Sequence, residues 1–315
     1  MAKRKNIAAA RANKRQAWIA RTIQWSGLDE ATVTELLQRP PTQSLRVNPL
    51  RGGVAPKDEM AIDWCLNGYT LTHDQDNYAE AVTEGRVYIQ NAASWLPVLA
   101  LDPLSGERIL DMCAAPGGKS SHIQAITDNQ AELICNDNSR PRLIKLRANL
   151  QRLGVEADYL LADATKLSRR DDLGQFDKIL LDAPCSGEGL MTLRLEDDKL
   201  FDSWSVAHIR RLSDLQKKLI TEAWRLLRPG GTLVYSTCTM APEENEAVVA
   251  YLLRRQPDAA LMAMNLPELP NRAPAVQQWN NRDFSHDMSA CLRLTPGELT
   301  EAFFVAKLHK STPVV

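Results

Sequence analysis

Residues 108–121 read RILDMCAAPGGKSS, and no other stretch limits the possible folds so much. An apolar run of Ile109, Leu110 and Met112 gives way to small residues, then Pro116, Gly117 and Gly118, after which Lys119 and Ser120 open a helix. That order spells strand, tight loop, helix N-terminus. Glycines let a backbone approach a ligand closely, and the free N–H groups of a first helical turn face whatever sits there. The spacing is neither G-x-G-x-x-G nor Walker A, which argues against dinucleotide and triphosphate sites. Alone, the stretch is no more than a plain βα turn.

It does not stand alone. Asp137 closes the apolar run 133–136, Asp163 closes 159–162, and Asp182 closes 179–181. Any one of these acids could be a helix N-cap. Four successive apolar runs ending in Asp or in the glycine loop fit a doubly wound sheet better, because its strand C-termini rim the ligand crevice. The acid after the second strand is where a ribose hydroxyl pair is usually held. Helical patterns at 120–127, 140–153, 205–228 and 243–255 alternate with strands, of which 232–236 and 303–308 are the last. The helix 205–228 carries Val206, Ile209, Leu212, Leu215, Leu219, Ala223 and Leu226 on one stripe and stops at Pro229-Gly-Gly231. Such alternation predicts an α/β fold with a mostly parallel sheet covered on both faces. The polar, proline-containing residues 265–287 are expected to form an ordered loop over the active site, or a lid.

A chain of 315 residues has room for one large domain and a smaller one. Its six cysteines are scattered without C-x-x-C pairs, which suggests reduced thiols in the cytoplasm rather than a disulfide or zinc framework. No metal site is expected. No apolar run approaches a membrane span, and the N-terminus lacks a signal-peptide core. The net charge of −1 hides an asymmetry: residues 1–21 hold seven basic side chains (Lys3, Arg4, Lys5, Arg11, Lys14, Arg15, Arg21) and no acidic one. A basic arm of this kind supplies salt-sensitive phosphate contacts, with a solvated terminus as the plain alternative. Residues 8–25 read as a helix, and 29–38 as another ended by Pro40-Pro41. The run SLRVNPLR, 44–51, is strand-like, 60–65 has the pattern of a helix, and 69–71 and 86–89 of short strands. The boundary falls near residue 90, giving an N-terminal region 1–90 and a catalytic domain 91–315.

Three motifs then occur in order. They are the 111–120 loop, Asp182-Ala-Pro-Cys-Ser-Gly-Glu-Gly189, and Ser236-Thr-Cys-Thr239 followed by Pro242-Glu-Glu-Asn-Glu246. Together they resemble the RNA 5-methylcytosine methyltransferases, which include the bacterial 16S ribosomal RNA cytosine methyltransferases and the NOL1/NOP2/Sun proteins. The resemblance runs from about residue 44 to 310. It implies a Rossmann-like class I methyltransferase with a seven-stranded sheet, behind a small α+β RNA-recognition-like subdomain. The implied activity is methyl transfer from S-adenosylmethionine to carbon 5 of a cytosine in structured RNA. Ribosomal RNA is preferred over transfer RNA, and the chain is expected to act as a monomer with no membrane partner. A non-catalytic RNA-binding assembly factor is the alternative from another class.

Carbon 5 of cytosine is a poor nucleophile, so a thiolate must first add to carbon 6. Cys185 and Cys238 each stand just past an apolar strand. The cytosine-5 DNA enzymes would nominate the Pro-Cys residue, Cys185. The RNA family uses the Thr-Cys residue, here Cys238, with Cys185 assisting breakdown of the adduct. The resemblance further assigns Lys119 and Asp182 to the cytosine ring; Asp182 either accepts from the exocyclic amine or donates to N3. It gives Cys113, Ala114, Ala115, Pro116, Gly117, Gly118, Lys119, Asp137, Arg142, Asp163 and Asp182 to the methyl donor. Arg142 has a surface-helix reading as its alternative. Arg46 and Asn48 would help hold RNA, an ordinary strand explaining them nearly as well. In one departure Glu301-Ala302 stands where the family commonly has Asp-Gly, so the local turn is expected to differ. With the sequence ending soon after that strand, RNA selection is expected to rest on the N-terminal region.

Overall fold

The computed structural model describes residues 2–38, 42–190 and 200–312. Helix α1 (Ala2–Ser26) is followed by α2 (Glu30–Leu37), which Asp29 caps by accepting the Thr32 N–H at 2.8 Å. Trp18 and Ile19 of α1 are buried against Val33 of α2 and against Phe201, Trp204, Met240 and Ala302 far along the chain. Three cations of α1 are engaged as well. Arg11 pairs with Asp202, Lys14 donates to the Phe201 and Asp202 carbonyls, and Arg21 pairs with Glu243. What reads as a basic arm is therefore a docked helix, held mainly by its apolar stripe, since surface ion pairs contribute about 0–1 kcal/mol each. The side chains of Lys3, Arg4 and Lys5 lie outside the described ones, as do Pro40 and Pro41.

Strands β1 (Gln43–Val47), β2 (Gly68–Leu71) and β3 (Val87–Ile89) form an antiparallel sheet in the order β2-β1-β3, with helix α3 (Ala79–Thr83) between β2 and β3. Leu45, Val47, Leu71 and Val87 make its core. Residues 60–65 are not helical. Their backbone is drawn to the β2 edge: the Ile62 N–H donates to Gly68 O, the Thr70 N–H to Met60 O, and Ala61 bridges to Tyr69. Arg46 and Asn48 face protein instead of RNA. Arg46 is 1% exposed and donates to Ser121 Oγ at 2.8 Å, while Asn48 donates to the Gly85 and Leu153 carbonyls. They staple the small sheet to the larger body.

That body begins with α4 (Leu96–Leu101) and continues through β4 (Arg108–Asp111), α5 (Gly118–Thr127), β5 (Glu132–Asp137), α6 (Arg140–Arg152) and β6 (Asp158–Leu161). Next come β7 (Phe176–Asp182), α7 (Leu200–Ser203), α8 (Val206–Leu226), β8 (Leu227–Thr237), α9 (Glu246–Arg255) and β9 (Ala259–Met262). The last strands are β10 (Arg272–Ala273), β11 (Gln278–Trp279), β12 (Arg282–Asp283), β13 (Leu292–Leu294) and β14 (Phe303–Lys310). The large sheet runs β10-β13-β14-β8-β7-β4-β5-β6, with β9 also on β14. Strands β6, β5, β4, β7 and β8 are parallel and the rest antiparallel. This is the expected doubly wound α/β architecture, with nine strands among the described residues instead of seven; the four-residue β9 and the two-residue β10 extend one side.

Strand alternation divides the core between the two faces of the sheet. Leu110, Ile179, Leu181, Leu233 and Tyr235 meet Leu219, Ile220 and Ala223 of α8 and Val248, Val249 and Leu252 of α9. Ile109, Leu180 and Val234 meet Leu96 and Leu101 of α4, Ile123 of α5 and Leu146 and Leu150 of α6. Each fully buried aliphatic side chain contributes about 1.5–3 kcal/mol, which fixes the strand ends where the ligand crevice must form.

Residues 265–287 do not cover that crevice. They carry the β11–β12 hairpin and plant Val276, Trp279 and Phe284 in the core face shared with α8 and α9. The Val276 N–H donates to Glu246 Oε1, and Arg21 lies over the Trp279 ring at 5.3 Å. The segment's apolar residues pull it down onto the α8 and α9 side of the body, and none of its residues lines the cavities described below.

Candidate active site

The C-terminal ends of the parallel strands open into a cavity of about 350 Å³. Cys113, Ala115, Asp137, Arg142, Asp163, Asp182, Cys185 and Cys238 line it. A neighbouring recess of about 120 Å³ is lined by Ala114, Pro116, Gly118 and Lys119, again with Cys113, Ala115 and Asp182. Of the expected site residues, Gly117 alone lines neither. It has φ +106°, and a Cβ there would lie 2.9 Å from Leu146 Cδ1, so it seats the loop on α6 and only glycine fits.

The loop is pinned to β5. The Ala114 N–H donates to the Asn136 carbonyl at 2.8 Å, and Asn136 Nδ2 donates to the Met112 carbonyl at 3.0 Å. Arg142 Nη2 donates to the Ala115 carbonyl at 2.8 Å and stands 3.2 Å from Asp137 Oδ2. Asp137, 2% exposed, also accepts the Ser139 N–H. Asp163 does cap a helical turn, accepting the Thr165 N–H and hydroxyl, and the hydroxyl is the chief reason its carboxyl sits below the usual range. The capping account and a place on the crevice rim both hold for this residue.

Lys119 Nζ donates to Asp182 Oδ2 at 2.7 Å, and Ser236 Oγ donates to Asp182 Oδ1 at 2.8 Å. Burial would weaken the Lys119 ammonium, yet the carboxylate of Asp182 outweighs it and raises the lysine above its ordinary value. Lys119 thus stays cationic, and Cys238 lies within its electrostatic reach. Asp111 is 1% exposed at the end of β4, accepting from Ser120 Oγ at 2.6 Å; burial pushes its carboxyl up to about 7.

The two cysteine loops follow β7 and β8, whose register pairs Asp182 with Ser236. That pairing carries both loops out at one level. Cys185 Sγ and Cys238 Sγ lie 3.3 Å apart, both as free thiols. The hydrogen bond to Cys238, followed by burial, pushes the Cys185 thiol well above its usual value. The Gly189 N–H donates to the Cys238 carbonyl at 2.9 Å, and a Cβ on Gly189 would be 2.4 Å from the Ala302 carbonyl. Asn245 Nδ2 holds the Thr239 carbonyl at 2.9 Å, and Arg293 Nη1, paired with Glu246, holds the Met240 carbonyl at 2.7 Å.

The family model described as 16S rRNA methyltransferase RsmB/F matches residues 98–309, more than half of the chain. The chain belongs to the RsmB/F methyltransferase family. It is 37% identical over 287 residues to the tRNA (cytosine(49)-C(5))-methyltransferase of Pyrococcus abyssi, an alignment covering 87% of this chain and 90% of that one. It is 36% identical over 297 residues to the ribosomal RNA small subunit methyltransferase F of Shewanella denitrificans, covering 88% of this chain and 56% of the relative. The chain thus spans nearly all of the first relative and little more than half of the second. The crystal structure of a methyltransferase homolog from Pyrococcus horikoshii has the same fold, with TM-score 0.74, 29% identity, and 93% and 98% of the two chains covered. The enzyme class implied by the motifs, RNA cytosine-5 methyltransferase, follows from this membership.

The two cavities and their surroundings also hold residues that the sequence reading did not select. Tyr88, Gln90 and Ser94 reach the recess beside Lys119 from the end of the small sheet and the chain after it. No local pattern marks them, because a tertiary contact brings them there. Asp111 carried a signal, being one more strand-terminal acid. Glu301 is 4% exposed with Oε2 unpartnered among the described residues, and it interacts electrostatically with Lys119 and Asp182. Ala302 is fully buried without a positive φ, so alanine is accommodated in ordinary backbone.

Proposed function

We propose that this chain methylates carbon 5 of a cytosine in structured RNA through a transient bond between Cys238 and carbon 6 of the ring. The 3.3 Å pairing of Cys185 with Cys238 above the Lys119–Asp182 contact carries this reading. The Cys238 thiolate adds to carbon 6, and the displaced electron pair makes carbon 5 nucleophilic. Carbon 5 would then take the methyl group of a sulfonium donor, whose carbon–sulfur bond would break with its electron pair left on the departing thioether. A base removes the carbon 5 proton, those electrons restore the C5–C6 double bond, and the carbon 6–sulfur electrons return to Cys238. The resemblance of Ser236-Thr-Cys-Thr239 to the family's Thr-Cys motif names Cys238 as the nucleophile and leaves Cys185, 3.3 Å away, to assist release. Lys119 supplies positive charge beside the addition step. Both Asp182 oxygens accept hydrogen bonds, which favours acceptance from the exocyclic amine over donation to N3.

S-adenosylmethionine, when bound, supplies an electrophilic methyl group. The residues present fit it. A cavity of about 350 Å³ is within the range for small-ligand pockets; buried Asp137 would meet the ribose and Asp163 the adenine edge. Cys113 and Arg142, with loop residues 114–119, would hold the remainder.

For the substrate, 16S ribosomal RNA comes first, in line with the family model. Transfer RNA is the second reading, favoured by the near end-to-end match to the Pyrococcus abyssi relative. In either, the base must leave its stack at a cost of about a few kcal/mol, so unpaired sites suit best. Residues 1–90 would hold the RNA and 91–315 carry out the transfer in the cytoplasm. Bisulfite sequencing of total RNA with and without the protein tests the reading. Protected cytosines in 16S RNA support the first substrate, protection in tRNA the second, and none in any RNA overturns methylation at carbon 5. Cys238→Ala should abolish transfer and keep donor affinity, while Cys185→Ala should accumulate a protein–RNA adduct on a denaturing gel.

A further inference from the structure

Two buried side chains behind Cys185 have no part in the scheme so far. Gln216, fully buried on α8, donates from Nε2 to the Pro184 carbonyl at 2.9 Å and to Glu244 Oε2 at 2.8 Å. The same Glu244 oxygen accepts the Ser186 N–H at 3.0 Å. The backbone groups on either side of Cys185, the carbonyl before it and the amide after it, are thus tied to one carboxamide–carboxylate unit. Packing alone does not call for this unit. Gln216 Oε1 and Glu244 Oε1 are buried without a hydrogen-bond partner among the described residues, and a buried orphan polar atom costs about 1–3 kcal/mol.

The unit grips only one of the two cysteine loops. Cys238 has further holds of its own, Asn245 on the Thr239 carbonyl and the Glu246-paired Arg293 on the Met240 carbonyl, besides the Gly189 N–H on its carbonyl and the 2.7 Å contact between the Ser186 and Thr239 hydroxyls that join the two loops. Consecutive residues 244, 245 and 246 therefore divide between the loops, Glu244 taking Cys185 while the next two take Cys238.

We infer that Gln216 and Glu244 are positioning residues for Cys185, fixing its sulfur beside Cys238 so that it serves the release half of the reaction. This rests on the division of labour proposed above. Release requires a proton to leave carbon 5 and the carbon 6–sulfur bond to break, and misplacing a group by about 1 Å can cost on the order of a hundredfold in rate. Loosening the 184–186 peptide slows release far more than addition and methyl transfer, because Cys238 keeps Asn245 and Arg293 even where the Ser186–Thr239 contact gives. Burial pushes the Glu244 carboxyl up to about 7, against the pull of Ser186 and Gln216. A neutral glutamine there resembles the protonated form and can still accept both hydrogen bonds through Oε1.

The test uses the full chain with an RNA that the wild type methylates, comparing Cys185→Ala, Gln216→Met, Glu244→Ala and Glu244→Gln. Single-turnover methyl transfer, steady-state turnover and the slow-migrating adduct on denaturing gels are measured together. Gln216→Met and Glu244→Ala are expected to hold the methyl-transfer burst within about threefold of wild type, lose about tenfold or more in steady-state turnover, and accumulate adduct. Glu244→Gln is expected to stay within about threefold of wild type in all three. Folded variants that release at the wild-type rate overturn the inference, as does loss of the burst together with release. A Glu244→Gln defect as large as that of Glu244→Ala also overturns it, since charge and not position would then matter. If Glu244→Ala does not fold, Gln216→Met, which fills nearly the same volume, decides. Failure of Cys185→Ala to accumulate adduct strikes the functional reading itself, and is seen separately.

Discussion

Single side chains in this protein show how burial alone turns ordinary acids into unusual ones. Glu301 is the clearest case: burial pushes its carboxyl up from 4.5 to about 7, with Lys119 pulling it back and Asp182 adding to the rise. The folded state then keeps a proton that the unfolded chain has already lost, so this group's stabilisation is greatest in acid. It falls as pH rises from about 4.5 to about 7 and is constant above that. Glu301→Gln removes the slope. Urea unfolding at pH 5 and pH 8 should show the variant gaining about 2–3 kcal/mol relative to wild type between those values, from the shift of roughly two to three pH units. An unchanged difference between the two proteins would mean that Glu301 titrates normally. The cysteines teach a related lesson about residue types. Cys113, Cys185 and Cys238 all follow apolar strands in the sequence, and no spacing rule ranks them. The pairing of Asp182 with Ser236 brings two of them within 3.3 Å, and that register is a long-range fact.

Among the elements, the segment 242–246 links the catalytic loops to the core. Glu246 begins α9 with its carboxylate buried against Arg293 of β13, at 2.9 Å from Nε, and Arg293 in turn lies over the Trp25 ring at 4.5 Å. Glu246→Ala would strand a buried guanidinium, so a loss of about 3–5 kcal/mol in unfolding free energy is expected. Pairing it with Arg293→Met should restore part of that loss; equal instability of the double variant would show that the charge is not the cause. Elements whose pattern is local were readable beforehand. The strands of 108–182 alternate faces within a few residues, and α8 carries its stripe over six turns. Two readings failed because the deciding contact is distant. Residues 60–65 have helix-compatible spacing, but their amides and carbonyls pair with the β2 edge. Residues 265–287 look like a polar lid until Val276 meets Glu246 and Trp279 meets Arg21.

The whole molecule is a doubly wound sheet with a small antiparallel sheet and a helical N-terminus docked onto it. Arg46 and Asn48 hold the small sheet, and Trp18 and Ile19 hold the helix. Sequence suggests that the N-terminal cations serve RNA, and three of the seven, Arg11, Lys14 and Arg21, have protein partners that a sequence does not display. With Arg11 and Arg21 already paired to Asp202 and Glu243, the double variant Arg11→Gln, Arg21→Gln should leave the log–log salt slope of RNA binding unchanged to within about 0.5. Two phosphate contacts would instead lower it by roughly 1.4–1.8. The central claim concerns one sulfur atom, and mass spectrometry addresses it directly. Substrate RNA carrying 5-fluorocytosine at the target position has no carbon 5 proton to lose, so the wild-type adduct persists. After digestion, the pyrimidine is predicted to be bonded to the peptide containing Cys238. A pyrimidine on the Cys185 peptide, or no cross-linked peptide from protein that methylates the unmodified RNA, would contradict the account.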